Sequence, residues 1–280
     1  MTTLITGARG KVGQAVINRL HSAGVPVRAA SAKPAELTVP AGVEVAELVL
    51  NQPETFEAAL AGVRQVFLYP EPAGIHQLIK AAEQAGVEHV VLLSSSSVLG
   101  PDAETDPLAS HSLAVERALA DSDLTVTLLR PDAFASNALG WTHFIGRSMP
   151  IQLAYPDAGL APIHPADIAD IAVEALTGDS LRGRAVTLTG AQQLTFREQL
   201  AVLGDVLDRD IPVVRITRAE AEEQLGGYMP APVLRLLLDL WAAATDHPVA
   251  VADTTETLLG RPARTFRQWA TENADAFAAN

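Results

Sequence analysis

Apolar residues form two alternating patterns along the first half of the chain. Short apolar runs of the kind that form buried strands cover residues 1–6, 25–30, 43–49, 66–69, 90–93 and 126–131. Between them, residues 12–23, 53–60, 75–85 and 108–119 carry apolar positions at helical spacing. Strands that alternate with helices at short intervals predict a parallel sheet with crossover helices on its faces.

The pattern loosens in the second half of the chain. Further strands are predicted near residues 186–189 and 213–216, and helices near 167–176, 195–207 and 232–244. The prediction is therefore an α/β fold with a doubly wound parallel sheet over residues 1–155. Residues 156–280 are predicted to form a smaller C-terminal α/β region, partly interleaved with the sheet.

A glycine loop joins the first predicted strand to the first predicted helix. Gly7, Gly10 and Gly13 follow one another at intervals of three residues, unlike the Gly-x-Gly-x-x-Gly pattern. Glycines let a pyrophosphate approach the backbone amides closely, and the helix that follows presents its unpaired amides to the anion. The loop predicts a nucleotide phosphate site, and a tight structural turn is the alternative.

The residues after the second strand indicate which dinucleotide the site binds. An acidic side chain about 20 residues beyond the glycines would bind a free ribose 2′-hydroxyl. The chain has Arg28, Ser31 and Lys33 there instead, and Arg9 lies within the glycine loop. Cations beside a hydroxyl suit a 2′-phosphate, which predicts NADPH rather than NADH. The alternative is that Arg28 and Lys33 only solvate the end of the strand.

Composition and charge exclude several functions. The formal net charge of −13 argues against nucleic acid as the main partner, since binding to a phosphate backbone needs a basic footprint. The sequence has no cysteine, which excludes disulfides and thiolate chemistry, and its histidines lack the spacing of metal ligands. No apolar stretch reaches membrane-spanning length. We expect a cytoplasmic protein that acts on a small molecule and does not bind a membrane. Both a monomer and a homodimer are compatible with the sequence.

Several short motifs together resemble a known family. They are TGARGKVG at residues 6–13, LRP at 129–131, Phe134 with Asn137, IHPADIA at 163–169 and LTG at 188–190. In this order they resemble the NmrA-like atypical short-chain dehydrogenase/reductases over nearly the whole chain. The resemblance implies an NAD(P)-binding Rossmann domain followed by a substrate region. That group includes NAD(P)H-dependent quinone reductases, azoreductase-like proteins and redox-sensing regulators.

The resemblance also implies which residues contact the cofactor. The family's pyrophosphate loop is matched by Gly7, Arg9, Gly10, Lys11 and Val12. The loop over the adenosine is matched by Tyr69 and Pro70, and the nicotinamide pocket by Ser94, Pro131 and Phe134. Where quinone reductases have an arginine for the 2′-phosphate, this chain has Ala32, so Ser31, Lys33 or Arg9 would supply that contact.

Substrate contacts are expected at the loops beyond the buried strands and in the C-terminal half. The residues predicted there are Ser95, Asn137, Trp141 and Tyr228. For Trp141 and Tyr228, packing within the protein is the alternative.

The catalytic pattern departs from typical short-chain dehydrogenases, which use Tyr-x-x-x-Lys. The corresponding helix reads SHSLAVE over residues 110–116, with neither tyrosine nor lysine. His111 is the candidate proton donor or substrate-orienting group, because an imidazole titrates near neutral pH, and a solvent-facing histidine is the alternative. Glu116 is interpreted as a surface or helix-packing acid.

Two functions remain after these arguments. The favoured one is an NADPH-dependent oxidoreductase that transfers a hydride to a small quinone, enone or related conjugated carbonyl. Such acceptors need less acid catalysis than a ketone, because the developing anion is delocalised. The alternative is a dinucleotide-binding redox sensor without turnover, which the missing Tyr-x-x-x-Lys pattern favours.

Overall fold

The structure is a computed structural model and describes residues 2–278. Its strands are β1 (Thr2–Ile5), β2 (Val27–Ser31), β3 (Glu44–Glu47), β4 (Val63–Leu68), β5 (His89–Leu93), β6 (Thr125–Pro131), β7 (Ile151–Leu153), β8 (Gly159–Leu160), β9 (Ala185–Leu188), β10 (Leu194–Thr195) and β11 (Val213–Arg215). Its α-helices are α1 (Lys11–Ser22), α2 (Phe56–Leu60), α3 (Ile75–Ala85), α4 (Ser110–Ala120), α5 (Thr142–Gly146), α6 (Pro165–Thr177), α7 (Phe196–Leu207), α8 (Arg218–Leu225), α9 (Ala231–Asp246), α10 (Thr254–Leu259) and α11 (Phe266–Glu272). No helix within residues 2–278 is long and apolar enough to cross a membrane.

The chain folds as two compact units. The first comprises the chain up to Pro131 together with Pro165–Leu188, and the second comprises Asp132–His164 and the chain from Thr189 onward. This division differs from the predicted boundary at residue 155. The reason lies in long-range pairing, because β9 pairs with β6 and α6 packs on α1, so that Pro165–Leu188 belongs to the first unit.

The first unit is built on a seven-stranded sheet with the strand order β3-β2-β1-β4-β5-β6-β9. All neighbouring strands in this sheet are parallel. The order reverses between β1 and β4, which is the arrangement of a doubly wound Rossmann-type sheet. The predicted fold class is confirmed.

One face of this sheet is covered by α2, α3 and α4. Leu4, Val66 and Leu92 come from three neighbouring strands and pack in one buried cluster with Leu78 of α3 and Leu119 of α4. Burial of such side chains is the main favourable contribution to folding, worth roughly 25 cal/mol per Å² of apolar surface. It explains why the helical apolar spacing of the sequence predicted these helices well.

The inner strand β5 is buried along its whole length and carries a histidine. His89 Nε2 lies 2.9 Å from Thr127 Oγ1, and that hydroxyl donates to the carbonyl oxygen of Leu181 at 2.6 Å. Because the hydroxyl proton is used there, His89 must donate from Nε2, and Nδ1 has no partner within residues 2–278. Burial, reinforced by the charge of Arg182 and opposed by Asp179, lowers the pKa of His89 to about 4.

The second unit has its own core around α7 and α11. Trp269 lies 5.4 Å from Phe266 and 6.3 Å from Phe277 between ring centres. A second aromatic group places Phe196 edge-on to Trp141 and Trp241, at 5.9 and 5.3 Å. Two small sheets complete this unit, with β10 antiparallel to β8 and β11 parallel to β7.

Candidate functional site

The glycine loop has a geometry that only glycine permits at two positions. Gly7 has a φ of +61°, and its carbonyl oxygen accepts a hydrogen bond from the amide of Gly10 at 2.9 Å. A Cβ on Gly13 would lie 2.5 Å from that same carbonyl oxygen, too close for any side chain. The loop and the first turn of α1 are therefore pressed together, which leaves the backbone on the outer side of the loop free of side-chain bulk.

The start of α1 can accept an anion. The helix begins at Lys11, its N-cap is Gly10, and no side chain within residues 2–278 caps its amides. Its first-turn amides therefore face outward with the positive end of the helix dipole. Arg9 and Lys11 are exposed beside them, while Val12 is buried and anchors the turn. These residues fit a pyrophosphate, as the sequence predicts.

The loop after β4 lies against the glycine loop. The amide of Tyr69 donates to Thr6 Oγ1 at 2.7 Å, which joins the carboxyl ends of β4 and β1. A Cβ on Gly7 would lie 3.0 Å from the Cβ of Tyr69, so the tyrosine packs directly on this glycine. Tyr69 is 54% exposed and is followed by Pro70. This is the point where the strand order reverses, and ligands of open α/β sheets bind there.

A small group of charges lies beside the loop, beyond β2. Glu36 pairs with two cations, through Oε2 with Arg9 Nη1 at 3.2 Å and through Oε1 with Lys33 Nζ at 3.1 Å. All three side chains are more than half exposed. Ser31 accepts a hydrogen bond from the amide of Lys33 at 3.0 Å, which leaves its own hydroxyl proton free to donate elsewhere. The structure thus brings together three of the four predicted 2′-phosphate contacts.

Arg28, the fourth, has a different role. Its Nη1 donates to the carbonyl oxygens of Ala59 and Ala61, each at 2.8 Å, and its Nη2 lies 2.8 Å from Glu44 Oε2. Arg28 lies near the start of β2, whereas the ligand side of a parallel sheet is at the carboxyl ends. The assignment of Arg28 to the cofactor is corrected: its side chain ties β2 to β3 and to the end of α2.

A buried polar network lies at the carboxyl ends of β5 and β6. Glu116 of α4 accepts hydrogen bonds from Arg130 Nε at 3.0 Å and Nη2 at 2.6 Å, and from Ser94 Oγ at 2.5 Å. Ser94 is 5% and Glu116 8% exposed. The hydrogen bonds with Glu116 raise the pKa of Arg130. Glu116 is thus buried and binds residues at the ends of two strands. Of the two interpretations from the sequence, a surface acid and a helix-packing acid, the structure excludes the surface acid.

The remaining candidates of the first unit lie around this network. Ser112 of α4 is buried, whereas its neighbour His111 is exposed. Ser95 caps the short 3₁₀ turn Ser96–Leu99 by accepting from the amide of Ser97 at 3.2 Å. Pro131 is buried at the end of β6. The structure therefore leaves His111 in the solvent-facing position that was its alternative.

The candidates of the second unit are spread along its surface and core. Asn137 is exposed, Phe134 is half-buried, and Tyr228 is 85% exposed. Trp141 packs edge-on to Phe196, which supports the packing interpretation of this residue. No cluster of three or more histidine, aspartate or glutamate side chains within the described residues 2–278 could hold a metal ion.

The glycine loop at the switch point of a parallel sheet, with cations beyond β2, defines a dinucleotide-binding protein. A profile of the NAD(P)H-binding family matches residues 7–179, and the chain belongs to that family. It is 39% identical over 280 residues to (4-alkanoyl-5-oxo-2,5-dihydrofuran-3-yl)methyl phosphate reductase of Streptomyces griseus, with 98% of this chain and 99% of the relative covered.

Two further similarities agree with this assignment. The chain is 32% identical over 286 residues to the NAD(P)H azoreductase of Xenophilus azovorans, with 99% of both chains covered. The crystal structure of an NADPH-dependent quinone oxidoreductase of Escherichia coli has a TM-score of 0.81 at 25% identity, covering 96% of this chain and 98% of that one. The chain is an NAD(P)H-dependent oxidoreductase of the atypical short-chain dehydrogenase/reductase type, which confirms the resemblance, the prediction of an enzyme and the prediction that NADPH is a cofactor.

Glu36 and Arg130 have roles at this site that the sequence did not predict. Glu36 lies just beyond a proline, outside the strand, and nothing in the local pattern indicates that it bridges Arg9 and Lys33. Arg130 carried a usable signal, because an arginine in a largely apolar strand needs a carboxylate partner where it is partly buried. That signal points to Glu116 of the neighbouring helix.

Proposed function

We propose that this enzyme reduces small conjugated acceptors, such as quinones, enones and related conjugated carbonyls, with NADPH as the preferred reductant. When bound, NADPH supplies a hydride. The observation that carries the proposal is the hydrogen bonding of Glu116. Its carboxylate accepts three hydrogen bonds, two from a guanidinium and one from a hydroxyl, so both of its oxygens are engaged by groups of the protein.

The acceptor class follows from the absence of a Tyr-x-x-x-Lys pair on α4. A simple ketone becomes an alkoxide on hydride addition and requires a proton at the same moment, which Tyr-x-x-x-Lys provides in typical members. α4 offers Ser112 and Glu116 in this region instead. A conjugated acceptor spreads the developing charge over several atoms, so that solvent can protonate it afterwards. An enzyme without the dyad is therefore suited to conjugated acceptors.

The substrates named for the relatives support the same class. The Streptomyces reductase is named for a dihydrofuranone, whose ring double bond is conjugated with its carbonyls. The Xenophilus enzyme is named for azo compounds and the Escherichia coli enzyme for quinones. Each of these acceptors takes up two electrons into a conjugated system. We propose that this chain acts on the same chemical class.

The chain's own residues bind and orient the reactants in this proposal. The glycine loop with Gly7, Gly10 and Lys11 holds the pyrophosphate, and Tyr69 and Pro70 cover the adenosine. Arg9, Ser31 and Lys33 bind the 2′-phosphate. Ser94 and Pro131 border the nicotinamide, with Ser94 held in place by Glu116.

Contacts to the acceptor are proposed for Ser95 and for Asn137 and Tyr228, whose side chains are exposed. His111 is exposed, and it is proposed to orient the acceptor or to pass on a proton from solvent after hydride transfer. Unchanged turnover in His111→Ala would remove it from the mechanism.

The test is the loss of reduced nicotinamide absorbance across a panel of acceptors. Quinones, enones, a 4-alkanoyl butenolide phosphate and simple ketones are each mixed with the protein and NADPH, and separately with NADH. We expect saturable loss with the conjugated acceptors only, and faster loss with NADPH. Tight cofactor binding without loss for any acceptor would contradict the proposal and favour the redox sensor, which the missing dyad also fits.

A further inference from the structure

The charges beside the glycine loop include one of the wrong sign for a site that takes a phosphate. Arg9 and Lys33 are the two cations that pair with Glu36 there, and the carboxylate places one oxygen on each of them. The group carries a net charge of +1 instead of +2. This carboxylate therefore occupies both cations to which the 2′-phosphate contact is assigned in the proposed function.

We propose that Glu36 is a specificity-determining residue that weakens the preference for NADPH by acting as an internal competitor of the 2′-phosphate. The inference rests on the proposed function, because it concerns the cofactor of that same site. An incoming phosphate must share or displace the carboxylate before it can pair with Arg9 and Lys33. NADH has no phosphate at this position and meets no such competition.

Arg9, Lys33 and Glu36 come from two neighbouring loops, and the competition involves only these three side chains. Arg9 comes from the loop after β1, whereas Lys33 and Glu36 come from the turn after β2, so the carboxylate ties the two loops together. The side chains are 58%, 65% and 52% exposed, so none is locked by burial and Glu36 can swing away when a phosphate arrives. Exposed pairs of this kind contribute little to stability, so removing the carboxylate should leave the fold intact.

A matched control lies on the next strand. Glu44 is also an exposed glutamate with an arginine partner, Arg28, but that pair lies near the start of β2 and away from the glycine loop. Glu44→Gln and Glu36→Gln change the net charge of the protein equally. A difference between the two variants therefore reports the local pairing and excludes a general effect of charge.

The experiment measures binding by isothermal titration calorimetry, without any turnover. Adenosine 2′,5′-diphosphate and 5′-AMP serve as probes that differ only by the 2′-phosphate, and NADPH and NADH follow. For Glu36→Gln we expect tighter binding of the 2′,5′-diphosphate by roughly threefold to tenfold, the range given by one or two exposed ion pairs. Binding of 5′-AMP should stay within about twofold, as should both probes with Glu44→Gln.

Two results would overturn the inference while leaving the proposed function in place. One is an unchanged ratio of 2′,5′-diphosphate to 5′-AMP affinity in Glu36→Gln, with both dinucleotides still bound. The other is weaker binding of the 2′,5′-diphosphate, which would mean that Glu36 positions the cations for the phosphate. If the wild type bound neither NADPH nor NADH, the proposed function would fail as well.

Discussion

Acid should destabilise this protein through the single buried histidine of β5. Burial lowers the pKa of His89 to about 4 in the folded chain, from 6.5 for a histidine side chain in water. Between these two values the unfolded chain binds a proton that the folded chain does not. The free energy of unfolding therefore falls as the pH drops below 6.5, and the loss is complete below pH 4.

The structure gives the size of this effect. A proton on Nδ1 would place an N–H without a partner inside the sheet, since Nε2 already donates to Thr127. The difference between the two pKa values corresponds to about 3 kcal/mol in total. About 2 kcal/mol of this is lost between pH 7 and pH 5. That is a large share of the roughly 5–15 kcal/mol that stabilises a typical domain.

The assay compares urea unfolding of the wild type and His89→Gln from pH 7.5 down to 4.5. Glutamine retains a side-chain N–H that can reach Thr127 and does not titrate, and every other group is common to both proteins. We expect the wild type to lose about 2 kcal/mol more than the variant by pH 5. Parallel losses in the two proteins, or an NMR titration of the His89 ring centred near 6.5, would refute the reasoning.

Three other substitutions test the site and the core. Gly13→Ala should lower NADPH affinity by about tenfold or more, because its Cβ would meet the carbonyl oxygen of Gly7 at 2.5 Å; wild-type affinity in a fluorescence titration would show that the loop is not tightly packed. Glu116→Gln should cost about 1–3 kcal/mol in urea unfolding, since it removes the carboxylate that pairs with the partly buried guanidinium of Arg130. A loss below about 1 kcal/mol would place that pair in solvent. Phe196→Ala should cost about 3–5 kcal/mol, because two tryptophans lose their edge contact; a thermal midpoint unchanged from the wild type would contradict the packing described.

The parts of the fold that the sequence predicted well are those with local signals. The glycine loop follows a strand and opens a helix within a few residues, so its function could be inferred from that context alone. β5 was predicted as a strand covered on both faces because its residues are apolar without alternation, and its residues are indeed all buried.

The parts that the sequence did not predict depend on pairing between distant residues. The sequence predicts a strand near residues 186–189 and a C-terminal region partly interleaved with the sheet, but not that this strand, β9, pairs with β6 and that the unit boundary lies at Pro131. Arg28 was assigned to the cofactor from its position near a strand end, but the carbonyl groups of Ala59 and Ala61 hold it elsewhere. β7, β8 and β10 are two or three residues long, too short for a periodic pattern.

The most direct test of the proposed reaction is to trace the transferred hydride and the added proton with deuterium. The protein reduces an enone with NADPH that carries deuterium at C4, in the (4R) and the (4S) form, and mass spectrometry and NMR locate the label in the product. We expect one form to deliver deuterium to the β-carbon, and unlabelled NADPH in D₂O to label the α-carbon, since the proton comes from solvent. A product without deuterium from either form of the cofactor would contradict direct hydride transfer to a conjugated acceptor.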